Sequence, residues 1–91
     1  MSLTSKQRKA LKAKAHHLNP VVRVGQNGIS EGVIQETGIA LNTHELIKIQ
    51  IQHSDRDERL KGGTLLAEKT GAELVHHIGK VFILYRLNEE K

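Results

Sequence analysis

The sequence predicts an α/β fold in the order α-β-α-β-α-β-β, with a mixed four-stranded sheet flanked by helices. Three observations predict it. Ile47, Ile49 and Ile51 alternate with Lys48, Gln50 and Gln52, which is the period of a half-buried strand. Three segments open on helix-start signals: Thr4 with Gln7, Ser30 with Glu31, and Asp55 after His53-Ser54. Toward the C-terminus, two apolar runs are separated only by Gly79-Lys80, which reads as a tight hairpin.

Thr4 and Gln7 make a capping box that opens a helix over Ser5–His17. Leu11, Ala15 and Leu18 recur at helical spacing as a narrow apolar stripe. Lys9, Lys12 and His16 fall along a different face, with Lys6 near its upper end, so that basic face should meet solvent. Asn19-Pro20 ends the helix, because the residue before proline avoids the α region. The β-branched run Val21–Val24 is the first strand.

After Gly25-Gln26-Asn27-Gly28, Ser30 is an N-cap, Glu31 an acid in the first turn, and Ile29 can staple onto Ile34. The second helix runs to Asn42, with Val33, Ile34, Thr37, Ala40 and Leu41 toward the core. Leu46–Gln52 is the second strand. A third helix covers Arg56–Thr70 with Leu60, Thr64, Leu65 and Ala67; Gly62-Gly63 inside it is a local conflict that leaves room for a break or kink, and Gly71 is placed to stop it. Ala72–Ile78 and Val81–Arg86 are the last two strands, and the unbroken run Val81–Leu84 suits a strand buried on both faces. Residues 88–91 form a polar tail. The β-α-β unit from Val21 to Gln52 calls for a right-handed parallel crossover and the final hairpin for antiparallel pairing, so the sheet is mixed. With no repeat and no linker, residues 1–91 read as one domain.

Composition narrows the chemistry. No stretch approaches the roughly 18 apolar residues of a membrane-spanning helix. Met1–Lys6 lacks an apolar run and a small-residue cleavage site, so no secretory signal is expected and a cytoplasmic location is. The absence of cysteine excludes disulfides, thiolate catalysis and Cys-based zinc sites. The net charge of +4 is unevenly spread. Residues 1–30 hold Lys6, Arg8, Lys9, Lys12, Lys14 and Arg23 and no acid; the rest hold eight basic and ten acidic side chains. A basic lobe on a nearly neutral body suggests a localised polyanion-binding face.

Gly25-Gln26-Asn27-Gly28 is the strongest candidate site. Two glycines allow a tight bend with uncovered N–H groups, and the helix N-terminus behind them adds roughly half a positive charge that attracts phosphate. Some RNA-binding modules clamp a backbone with such a Gly-x-x-Gly loop. A hairpin turn at Asn27-Gly28 is excluded by the cap and staple that follow; a plain strand-to-helix turn is the other reading. The loop is not an ATPase phosphate loop, since no Lys-Ser/Thr follows Gly28. Phe82 and Tyr85, sent to opposite faces by strand parity, cannot stack a run of bases, so nucleic acid would be held mainly by its backbone.

The six histidines do not make a metal site: His76 and His77 point to opposite faces of a strand, and His16 and His17 lie about 100° apart on a helix. Ser30 and Ser54 are caps rather than nucleophiles, and Asp55-Arg56-Asp57-Glu58-Arg59 reads as a solvated helix start with local ion pairs. No catalytic activity, cofactor or small-molecule substrate is expected.

Three stretches carry a family resemblance: Val24-Gly25-Gln26-Asn27-Gly28-Ile29-Ser30-Glu31-Gly32-Val33, His44-Glu45-Leu46-Ile47-Lys48-Ile49, and Ile78-Gly79-Lys80-Val81-Phe82-Ile83-Leu84-Tyr85-Arg86. In this order and spacing they resemble the YhbY-type, or CRM-domain, family of small RNA-binding proteins, over nearly the whole chain. The resemblance implies a fold similar to the C-terminal domain of bacterial translation initiation factor three. It also implies RNA binding, with the loop role carried over to Gly25, Gln26, Asn27 and Gly28. Stand-alone bacterial members are associated with large-subunit ribosomal precursors, and plant relatives with organelle intron splicing. Here Gln26 and Asn27 stand where a basic residue would add charge, so Lys6, Lys9, Lys12 and Arg23, with Lys48 and Lys80 as further additions, are expected to supply the electrostatic footprint. The expectation is thus a monomeric RNA-binding accessory protein acting on ribosomal RNA during large-subunit assembly. The alternatives are a protein–protein adaptor on the ribosome and a general nucleic-acid binder.

Overall fold

The computed structural model describes residues 3–88, and within them all seven elements occur in the order the sequence predicts. They are α1 (Ser5–Ala15), β1 (Pro20–Val24), α2 (Glu31–His44), β2 (Leu46–Ile51), α3 (Arg56–Thr70), β3 (Glu73–Ile78) and β4 (Val81–Tyr85). The end of the predicted polar tail, from residue 89, lies outside the described residues.

The strand order is β1-β2-β4-β3. β1 runs parallel to β2, as the α2 crossover requires, and β4 is antiparallel to β3, as the tight hairpin requires, and also to β2. Strand parity then divides the core. Val22, Val24, Ile47, Ile49, Ile51, Phe82 and Leu84 face Leu41 of α2 and Leu66 and Ala67 of α3. On the other face, Val75 and Ile83 pack against Ala15 of α1, with Leu11, Leu46 and Tyr85 around them. α1 crosses this second face from the β3 edge toward β1. Near its start, Arg8 Nη1 donates to the carbonyls of Leu74 (2.6 Å) and Val75 (3.2 Å); beyond its end, the Leu18 carbonyl accepts Lys48 Nζ at 3.0 Å.

The start signals operate as the sequence predicts. The Thr4–Gln7 capping box closes in both directions (2.8 and 3.1 Å), Ser30 Oγ accepts Val33 N–H, and Asp55 Oδ1 accepts the N–H groups of Asp57 and Glu58. The ends differ by one or two residues, α1 stopping at Ala15 and α2 continuing to His44. α2 stops without glycine at Glu45, held at φ 62°, where its carbonyl accepts Arg86 N–H and its carboxylate accepts Asn88 N–H.

Two expectations are corrected. Gly62-Gly63 does not break α3, which is one 15-residue helix. A Cβ at Gly63 would lie 2.5 Å from Phe82 Cδ2, so this glycine lets the sheet approach the helix. That approach also fixes which face of α3 is buried: Gly63, Leu66 and Ala67 point inward, while Leu60, Thr64 and Leu65 are exposed. The Asp55–Arg59 cluster is not a set of local ion pairs. Arg59 instead donates to the carbonyls of His53, Ser54 and Gly79, and the one ion pair among the described residues is Glu58–Lys61 at 3.7 Å.

Candidate nucleic-acid interface

Both parallel strands end, and β4 begins, at one end of the sheet. There Gln52 N–H donates to the Val24 carbonyl and Ile51 N–H to the Lys80 carbonyl, each at 2.8 Å. With neighbouring strands about 4.8 Å apart, the Gly25 loop and Lys80 stand on either side of the end of β2.

The loop itself is a β-turn closed by Gly28 N–H donating to the Gly25 carbonyl at 3.2 Å. Neither Gln26 nor Asn27 has positive φ, which matches a type I turn followed by Gly28 at φ 83°. Gly28 is therefore required by the backbone. Gly25 is not: its φ is not positive, and an added Cβ would meet nothing within 4 Å. The N–H groups of Gln26 and Asn27 have no acceptor among the described residues, and both residues are exposed. Beneath the loop, a crevice of about 210 Å³ is lined by Ile29, His53, Glu58, Lys61 and Gly62. The α2 N-terminus offers less to an anion than its position suggests, because Ser30 Oγ already caps Val33 and Glu31 brings a carboxylate to the first turn. The attracting charge must come from side chains.

The structure places those side chains in two groups. Arg23, two residues before the loop, and Lys80 are exposed at the loop end of the sheet. Lys12 and Lys48 meet across the face that α1 leaves uncovered. With His16, His76, Ile78, Val81 and Ile83 they line a trough of about 270 Å³. Lys9 shares the flank of α1 that carries Lys12 and His16, whereas Lys6 lies further round toward the outer solvent face. Lys14 is on the opposite flank, beside a separate hollow of about 530 Å³ that also contains Glu45 and Tyr85. Among the described residues, Lys6, Lys9, Lys12, Arg23, Lys48 and Lys80 form no ion pair. Arg8, counted in the basic lobe, is consumed internally by the carbonyls of β3.

His76 was not legible as a neighbour of these cations, since only the order β2-β4-β3 and the offset at Leu74–His76 turn it toward Lys12. His16 was legible, as an extension of the basic flank. Burial, then the charges of Lys12 and His77, hold the His76 imidazole below its ordinary value of 6.5. His77, on the other face, stacks on Phe82 with ring centres 5.5 Å apart. Among the described residues no group of three or more His, Asp or Glu is placed to hold a metal ion, and no helix is long and apolar enough to cross a membrane.

Comparison with known proteins adds a family. The CRS1/YhbY (CRM) domain matches residues 3–86. The chain is 45% identical to an "RNA-binding protein" of Haemophilus influenzae over 98% of its own length and 90% of the relative's. It is 43% identical to a "probable RNA-binding protein" of Pseudomonas aeruginosa, covering 97% and 85%. Among solved structures, a Staphylococcus aureus protein described as a candidate RNA binder superposes with a TM-score of 0.86 at 33% identity, covering 97% of this chain and 92% of that one.

Proposed function

The chain belongs to the CRS1/YhbY (CRM) domain family, and from that premise we propose that it binds RNA, chiefly through the RNA backbone, and assists large-subunit assembly on ribosomal RNA or its precursor particles. The role is one of binding without catalysis, carried out by a cytoplasmic monomer. The observation that carries the reading is Gly25. The fold does not need a glycine there, yet the position lies in an exposed turn, two residues from Arg23 and across the end of β2 from Lys80. A bare backbone at that point serves something that approaches from outside.

In the proposed arrangement, the free N–H groups of Gln26 and Asn27 donate to phosphate oxygens. Arg23, Lys80, Lys9, Lys12 and Lys48 supply the surrounding positive potential, with Lys6 at its margin. The named relatives support RNA as the partner; the ribosomal assignment is the finer part of the proposal. Replacing Gln26 and Asn27 by Asp tests the loop: RNA affinity should fall at least tenfold while the melting temperature holds, and unchanged affinity in the folded variant counts against it. Crosslinking in cells followed by sequencing tests the ribosomal part. Reads should concentrate in large-subunit precursor RNA, and a dominant unrelated RNA would overturn it. A protein–protein adaptor would instead bind purified particles but not protein-free RNA.

A further inference from the structure

We infer that the trough between α1 and the sheet receives an unpaired RNA base, so that the bound RNA is single-stranded where it passes from the Gly25–Gly28 loop toward α1. The inference rests on the RNA-binding reading above and adds the form of RNA and a second subsite. The trough has a floor of Ile78, Val81 and Ile83 and a rim of Lys12, His16, Lys48 and His76, with no acid in its lining. Ile78 is 65% exposed, a large aliphatic side chain left open inside a cationic rim.

Phosphate does not suit that floor, because an anion there would lose hydration without gaining a hydrogen bond. A nucleobase does suit it. Its faces can lie against the aliphatic side chains or an imidazole, and its edge atoms can meet the nitrogens of His16 and His76. The lysines on the rim then face the phosphates on either side of that base. A duplex keeps its bases stacked within the helix and cannot fill a concave, apolar-floored site with one of them. Lys48 Nζ is anchored to the Leu18 carbonyl at 3.0 Å, so this part of the rim is already ordered before RNA arrives. The scarcity of Phe and Tyr excludes a platform for several bases, but histidine also stacks, and one site needs only one or two.

The test uses the full chain with a fluorescent oligouridylate and a perfectly paired RNA duplex of equal length at matched salt. Three proteins are compared: wild type, the His76→Ala/Ile78→Ser double variant, and Gly25→Ala, with folding checked by circular dichroism. Wild type should prefer the single strand. The double variant should lose about fivefold to a hundredfold in affinity for it, the range for one stacked base, with an unchanged salt slope because every lysine and arginine is kept. Equal affinity for both RNA forms, or a double variant that binds the single strand like wild type, overturns the trough. If Gly25→Ala still weakens binding in that case, the backbone-clamping reading survives. Failure of wild type to bind either RNA overturns both.

Discussion

Replacing Gly25 by alanine separates a functional glycine from a structural one. At Gly25 the backbone is outside the left-handed region and the new Cβ would meet no atom within 4 Å, so the folded state pays nothing. The unfolded chain becomes stiffer, which stabilises the variant by about 0.4–1 kcal/mol. The same methyl group adds bulk to the turn that the proposed phosphate would approach. If it costs one charge-assisted hydrogen bond to phosphate, about 1.5–3 kcal/mol is lost, which corresponds to roughly tenfold to a hundredfold in affinity. Gly28→Ala behaves differently: its φ of 83° makes alanine strained, and stability should drop by about 1–2 kcal/mol. Urea denaturation followed by circular dichroism gives the stabilities, and fluorescence anisotropy with single-stranded RNA gives the affinities. A Gly25→Ala protein that is fully stable and binds RNA like wild type would refute the claim that this glycine is kept for a ligand.

Reversing charge at Lys9 and Lys12, which share the flank beside the trough, should weaken RNA binding and flatten log K against log[salt] by about 0.7 for each single-strand phosphate no longer neutralised; a wild-type slope would remove α1 from the footprint. In α3 the two glycines should respond oppositely. Gly63→Ala drives a Cβ to 2.5 Å from the Phe82 ring and should destabilise by about 1–3 kcal/mol. Gly62→Ala meets its nearest atom at 3.6 Å and should stabilise by about 1 kcal/mol through helix propensity, both read by urea denaturation. Because His76 is held below 6.5 in the folded protein, by burial and then by Lys12 and His77 with His16 and Lys48 also facing the trough, the unfolded chain takes up this proton first on acidification. Stability present above pH 6.5 is therefore lost as pH falls through the folded value, and His76→Gln should show a smaller fall in melting temperature between neutral pH and about pH 5.

The parts of the fold legible in the sequence were those fixed by neighbours along the chain. The alternation at Ile47–Ile51 needs only a two-residue period, and Thr4, Ser30 and Asp55 act on N–H groups two or three residues away. What escaped depends on partners far along the chain. Gly62-Gly63 reads locally as a helix breaker because nothing nearby announces Phe82, about twenty residues on, whose ring occupies the space. The same approach turns Leu60 and Leu65 outward, against the simplest reading of their hydrophobicity. In the sequence Arg8 counts toward a basic lobe and Arg59 toward a solvated helix start, and Arg86 carries no sign of a partner. In the structure each donates to backbone carbonyls outside its own element: β3 for Arg8, the β2–α3 and β3–β4 turns for Arg59, and the end of α3 and α2 for Arg86. At the candidate site, the turn and the α1 flank were readable from local signals. The trough was not, since it exists only because β4 lies between β2 and β3, beneath a helix that crosses them.

The most direct measurement of the central claim is a nuclear magnetic resonance titration of this 10.2 kDa protein with single-stranded RNA, following every backbone amide. The largest shifts should fall at Gln26, Asn27 and Gly28 and continue through Arg23, Lys80 and His76 to Lys12 and His16. Shifts confined to the outer faces of α2 and α3, with the Gly25–Gly28 amides unmoved, would contradict it.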